Sequence, residues 1–81
     1  MHPNYFTVVG YDKDADIYTH FGDYSSLSKA RDYAIHLAGD IKPRCADGDS
    51  FDWFEVWDIK KERVALVNSE GELVIEDGLA G

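Results

Sequence analysis

Only one stretch of this chain repeats its apolar residues at helical spacing. Leu27, Ala30, Ala34 and Leu37 follow a 3-4-3 interval, which lays one stripe along a single helix face. Tyr33 and Ala38 widen it. Ser25 or Ser26 can serve as N-cap, and Gly39 stands where a left-handed residue would end the helix. The spacing predicts a helix over 26–38. A lone helix of about a dozen residues covers about 18 Å of sheet, at 1.5 Å per residue. It covers one face only, so the other face of any sheet here is left to its own side chains.

The remaining periodic segments read as strands. Tyr5 to Tyr11 is rich in β-favouring residues. Asp12–Asp16 is a polar turn. Ile17 to Phe21 returns, with Ile17, Thr19 and Phe21 on one side and Tyr18 and His20 on the other. These form a first hairpin over 5–21, closed by a break at Gly22-Asp23-Tyr24-Ser25. Asp40 to Ser50 is a loop, long enough either to bind something or to cross the sheet. Phe51 to Ile59 is a strong strand, Lys60-Lys61-Glu62 a turn, and Val64 to Val67 a fourth strand, giving a second hairpin over 51–67. Leu73 to Ile75 adds a short strand within a C-terminal segment, 72–81, that ends as a frayed tail. The expected fold is a two-layer α+β domain. One helix lies on one face of an antiparallel sheet of four to five strands, in the order β-β-α-β-β with a further C-terminal strand.

The strand from Phe51 carries the most informative pattern. If Phe54 and Val56 face the helix, Trp53 and Trp57 face away, with Glu55 between them and tyrosines of the first hairpin as neighbours. An uncovered aromatic sheet face is a binding or dimer surface. The alternative is that the 40–50 loop or the C-terminal tail folds over it.

Eighty-one residues make one domain, 1–81. Hydrophobic residues at 44% and aromatics at 14% suffice for a core, which argues against disorder. Cys45 is the sole cysteine, so no internal disulfide forms. With no basic-apolar leader at Met1 to Asn4 and no apolar run of membrane-span length, the expectation is a cytoplasmic protein. Sixteen acidic and eight basic side chains give a net charge of −8. Nucleic acid and anionic membranes would be repelled, and a basic protein surface attracted. Acidity that serves only solubility accounts for the charge as well.

Motifs for catalysis are missing. Asp12, Asp14 and Asp16 have the opening D-x-D-x-D spacing of a calcium loop, a weak metal candidate. The loop's sixth position is Ile17 instead of Gly and its twelfth Asp23 instead of Glu. Asp47, Asp49, Asp52, Glu55 and Asp58 are a second acidic group, suited to solvation first and recognition second. General acid–base work needs an apolar pocket that nothing in the sequence supplies. His2, His20 and His36 lack metal-ligand spacing. Cys45 lies beside Arg44 without a positioned base. Phosphate-cradling glycine runs are absent, and the weak basic groups Lys29/Arg31, Lys42/Arg44 and Lys60/Lys61/Arg63 are outnumbered by acids, which disfavours direct nucleic-acid binding. No catalytic residue and no cofactor is expected.

In size, acidity, aromatic content and β-β-α-β-β order the chain resembles small phage-encoded inhibitors, among them the anti-CRISPR proteins. That resemblance implies a non-enzymatic protein in the host-cell cytoplasm that occupies the basic, nucleic-acid-handling surface of a partner, as a nucleic-acid mimic. Trp53, Trp57, Glu55, Asp47, Asp49, Asp52 and Asp58 would carry the contact. Toxin-immunity proteins share the profile. The first hairpin and helix are also similar to antitoxins, although the Pro-rich turn expected there is missing between Phe21 and Ser25. A self-associating module, a homodimer through the aromatic face, is the other reading.

Overall fold

The computed structural model describes residues 5–46 and 48–76. Among the described residues there are five strands: β1 (Phe6–Asp12), β2 (Ile17–Tyr24), β3 (Trp53–Trp57), β4 (Arg63–Asn68) and β5 (Leu73–Glu76). One helix, α1 (Leu27–His36), lies between β2 and β3. The sheet order is β2-β1-β3-β4-β5, with every neighbouring pair antiparallel. The chain thus leaves edge strand β2, crosses one face as α1, and re-enters beside β1. That crossing gives the 40–50 loop its length.

Ser26 caps α1, its hydroxyl accepting from the Lys29 N–H at 3.2 Å. Ala30 and Ala34 are fully buried on the stripe. Their small size lets the helix sit close to Val8, Phe54, Val56, Ala65 and Val67 of the sheet. Phe51, Leu37, Ala38 and Val64 complete this core. Gly10 is part of the same packing. A Cβ there would lie 2.8 Å from a Phe21 ring carbon and 2.9 Å from one of Phe51, so the two rings rest on bare backbone.

Two sequence expectations need correction. Gly39 does not end the helix. The chain continues as a single π-helical turn over Leu37–Ile41, closed by the Lys42 N–H to the Leu37 carbonyl at 2.7 Å, and the left-handed residue is Lys42 (φ 50°). Gly39 instead faces the β4–β5 turn, where the Cβ that Gly71 lacks would lie 3.0 Å from the Gly39 Cα. Nor does the second strand break at Gly22. β2 runs to Tyr24 because a bulge between Val8 and Val9 lets Val8 pair with Gly22 and Val9 with His20. Phe21 is the extra residue between them, and its ring packs on Phe51 and Phe54. The other differences lie at element ends: the third strand is Trp53–Trp57, inside the expected 51–59, and the final strand is Leu73–Glu76. Residues 77–81, read as tail, lie outside the described residues.

Candidate functional site: an aromatic face around a buried carboxylate

The face of the sheet away from α1 follows from the pairing registers. Trp53, Glu55 and Trp57 alternate with core residues Phe54 and Val56 on β3. On β1 they lie opposite Tyr11, Val9 and Thr7, in that order. On β2, Tyr11 faces Tyr18 and Val9 faces His20. On β4, Glu55 faces Leu66 and Trp57 faces Arg63. Tyr11 stacks on Trp53 with ring centroids 4.5 Å apart, Tyr18 tilts against Tyr11 at 4.7 Å, and Tyr18 meets Trp57 edge-on at 5.0 Å. The four rings form a horseshoe from Trp53 through Tyr11 and Tyr18 to Trp57.

Glu55 closes it. Both indoles donate to its carboxylate, Trp53 to Oε2 and Trp57 to Oε1, each at 2.8 Å. The Tyr18 hydroxyl also hydrogen-bonds to it. Only 6% of Glu55 is exposed, and Val9 in the middle row is 3% exposed. A carboxylate can be buried this way because its lone pairs are taken up by donors. The arrangement fixes the rotamers of two large rings, since each indole has one N–H and both point to the same group. Tyr18 ionises later than an ordinary tyrosine, through burial first and then the Glu55 charge and hydrogen bond. Tyr11 donates to Asp16 at 2.7 Å, and that bond is the main reason its pKa is pushed up to about 12. At the far corner Asp23 accepts from Thr7 at 2.7 Å and contacts His20 at 3.2 Å, and these two bonds hold its carboxyl below the usual range.

The 40–50 loop does not cover this face. Its described residues lie on the helix side, where Cys45 packs against the core and Pro43, Arg44 and Ser50 border a cleft with Ala38, Phe51 and Phe54. Tyr18 is 45% exposed and Ile17, at the open edge of β2, 56%.

The other acidic residues singled out from the sequence are spread along chain turns. Asp52 accepts the Lys13 N–H at 2.6 Å, tying the first hairpin's tip to the start of β3. Asp58 accepts from the Lys60 and Glu62 N–H groups at 2.8 and 3.0 Å, shaping the β3–β4 turn. Asp49 accepts the Cys45 N–H through its backbone carbonyl at 2.6 Å. Asp47 lies outside the described residues. Asp52 and Asp58 therefore bracket the strand that carries both tryptophans, while the structure brings neither onto Glu55. Asp12 turns its carboxylate to the Asp14 N–H at 3.1 Å and Asp16 turns to Tyr11. Among the described residues no three His, Cys, Asp or Glu side chains converge as a metal site. Cys45 is half-buried and packs against the core.

Tyr11, Tyr18, Val9 and Arg63 were not individually assigned to this face from sequence. A signal for the tyrosines exists: a turn over 13–16 puts Asp12 opposite Ile17 and hence Tyr11 opposite Tyr18. None of the family models, curated proteins or solved structures compared with the chain matches it. Among the described residues no helix is long and apolar enough to cross a membrane.

Proposed function

We propose that the chain is a non-enzymatic acidic binding protein that docks its aromatic face on a basic protein surface and inhibits by occupying it, in the manner of nucleic-acid-mimicking phage inhibitors. The observation that carries this reading is the face, left open by the described residues, whose four rings are held in place around Glu55. Rings ordered before binding lose little freedom on contact, which favours them as anchors. Arg and Lys side chains of a partner stack well on Trp and Tyr faces. The net charge of −8 supplies long-range attraction to such a partner. Asp47, Asp49, Asp52 and Asp58 are the steering charges in this account, and Trp53 and Trp57 the desolvated anchors.

The test is capture of a partner by the tagged protein, followed by kinetics. Retention should weaken as salt rises, and nucleic acid should compete for the partner. Trp53→Ala and Trp57→Ala, checked for folding by circular dichroism, should speed dissociation. Asp47→Lys with Asp49→Lys should slow association and flatten its salt dependence. Unchanged kinetics in both sets would mean that another surface binds.

Self-association is the second reading. The open edge of β2 beside exposed Ile17 and Tyr18 favours it, because an unpaired strand edge can template pairing with another copy. A mass that rises with concentration, lost on Ile17→Lys, would select this reading.

A further inference from the structure

Among the described residues the sheet ends on one side at β5, with four residues, and on the other at β2, with eight. Ile17, Tyr18, Thr19 and His20 of β2 are all exposed, on both faces of the sheet. Edge strands are commonly blunted by Lys, by Pro or by a bulge. From Ile17 to Tyr24 there is no Lys, Arg or Pro. The bulged residue, Phe21, comes only after His20, so Ile17–His20 pair with β1 in unbroken register. Their outward backbone groups form an equally regular row.

Both ends of this row are acidic. Asp16 precedes it, Asp23 follows it, and both are exposed. Asp16 accepts from the Tyr11 hydroxyl, and Asp23 accepts from Thr7 and contacts His20. Tyr11 and Thr7 belong to the aromatic face, so both carboxylates lie on that side. Period two puts Asp16, Tyr18 and His20 on one face, and the extra residue Phe21 brings Asp23 onto it. The bonds named here engage Oδ1 of each carboxylate. A carboxylate accepts at both oxygens, so each retains capacity for a cation. A second copy suits this edge less well than a basic strand. Two-fold pairing about the Thr19–His20 step would set Asp16 of each copy opposite Asp23 of the other, and like charges directly opposite destabilise a sheet.

We infer that the β2 edge receives an extended segment of another protein as a further antiparallel strand, with two basic side chains six residues apart on the side of Tyr18 and His20. Main-chain hydrogen bonds supply the affinity in such strand addition, and Asp16 and Asp23 set the register. An added strand without a bulge skips Phe21. It places residues at successive intervals of two opposite Asp16, Tyr18, His20 and Asp23, which gives the spacing of six and a length of about 20 Å. The net charge of −8 draws a basic segment toward this edge. The inference rests on the edge and its two carboxylates, and does not depend on the reading built on the four rings.

The experiment is an amide NMR titration of the full chain with the capped peptide acetyl-RVTVTVR-amide. It should give saturable shifts and slowed amide exchange confined to 16–23, with a midpoint near or below about 1 mM. Glu in place of both Arg residues, or the second Arg moved one place toward the first, should weaken binding about tenfold. A strand offers its N–H groups alternately to its two sides. N-methylation of either the three Val or the two Thr nitrogens should therefore abolish binding, and methylation of the other set should keep it. Asp16→Asn with Asp23→Asn, which keep an oxygen for Tyr11 and Thr7, should weaken binding about three- to tenfold. The inference is overturned by shifts that do not saturate by about 5 mM, by equal binding of the Glu peptide, or by both methylated sets binding or neither. It is also overturned by an unchanged midpoint in the Asn variant, or by a chain that dimerises through these same amides without peptide. The Trp53 indole N–H, on the part of the aromatic face remote from β2, should not shift. Loss of partner capture through the rings and loss of peptide binding at the edge are thereby read separately.

Discussion

The two faces of this sheet bury their centres by different means. Beneath α1, Val8, Phe54, Val56, Ala65 and Val67 are sealed by a helix whose alanines come close. On the opposite face Val9 and Glu55 are nearly as buried, with four of the sheet's own aromatic rings covering them. The residues sealed beneath the helix are apolar, and their packing depends on shape. The aromatic face has a charge at its centre and depends on three donors meeting one acceptor. A helix-covered face is hidden from partners, whereas a face closed by its own side chains keeps ring surface exposed. Rigidity and accessibility therefore coexist on the second face.

The largest effect should come from breaking the covered face. Phe54→Ala removes a buried ring from a core of small residues and should cost about 3–5 kcal/mol, a large share of the roughly 5–15 kcal/mol available to a domain. Urea unfolding followed by circular dichroism measures it. Tyr18→Ala, on the half-exposed aromatic face, should cost about 1–2 kcal/mol. Equal losses would mean that the two faces contribute alike.

Next in size is the carboxylate. Glu55→Leu keeps the bulk but leaves two indole N–H groups and a tyrosine hydroxyl without their acceptor. The expected loss is about 3 kcal/mol, with tryptophan emission shifting as the indoles hydrate. Glu55→Gln retains one acceptor oxygen and should lose less. With Trp53→Phe and Trp57→Phe already in place, Glu55→Leu should cost much less, because only the half-exposed Tyr18 hydroxyl, which water can reach, then loses its acceptor. An undiminished loss in that background would show that Glu55 acts through something other than the indoles.

The faces also differ in how far the sequence reveals them. Period two from Phe51 to Ile59 and the 3-4-3 stripe from Leu27 to Leu37 suffice to send Phe54 and Val56 toward the helix and Trp53 and Trp57 away from it. The pattern Trp53-x-Glu55-x-Trp57 also places an acceptor between two donors on one face, so the clasp could have been read locally. What could not be read is long-range. The bulge at Val8/Val9 depends on the β1–β2 register, and Asp52 serves a backbone N–H 39 residues away. The spread of the acidic group is of this kind, since Asp52 and Asp58 as residue types do not say whether they cap a turn or face a partner. Gly39 misled for a similar reason. Its approach to Gly71 is a contact between distant segments that no helix-ending rule contains.

That contact gives a smaller, two-sided test. Gly71 has φ 89° and would place a Cβ 3.0 Å from Gly39. Gly71→Ala should therefore lose about 1–3 kcal/mol, through backbone strain and crowding. At Gly39 a Cβ would meet nothing closer than 3.8 Å. Gly39→Ala should be neutral or stabilise by about 0.5–1 kcal/mol, the helix advantage of Ala over Gly. The order of the two unfolding midpoints decides whether the β4–β5 turn or the helix end sets the close approach.

The smallest effect is confined to alkaline solution and belongs to the aromatic face alone. Tyr11 is raised from 10.0 to about 12, chiefly by its hydrogen bond to Asp16. The folded chain thus holds that proton over a range where the unfolded chain has lost it. Where the folded state binds more protons, stability falls as pH rises. The contribution of Tyr11 is fully present below pH 10.0 and disappears as pH climbs through about 12. Tyr18 adds to the same decline, its proton held first by burial and then by Glu55. Asp16→Asn is the sharper substitution, because Asn keeps an oxygen for Tyr11 and tolerates the φ of 55° at this position, while the charge is removed. In that variant one tyrosine should ionise earlier in an ultraviolet titration, and the alkaline loss of stability should become shallower. Tyr11→Phe should also flatten the profile, leaving the part due to Tyr18. An alkaline profile unchanged in both variants would show that the Tyr11–Asp16 bond does not persist in solution, and with it would go one corner of the support for the rings on this face.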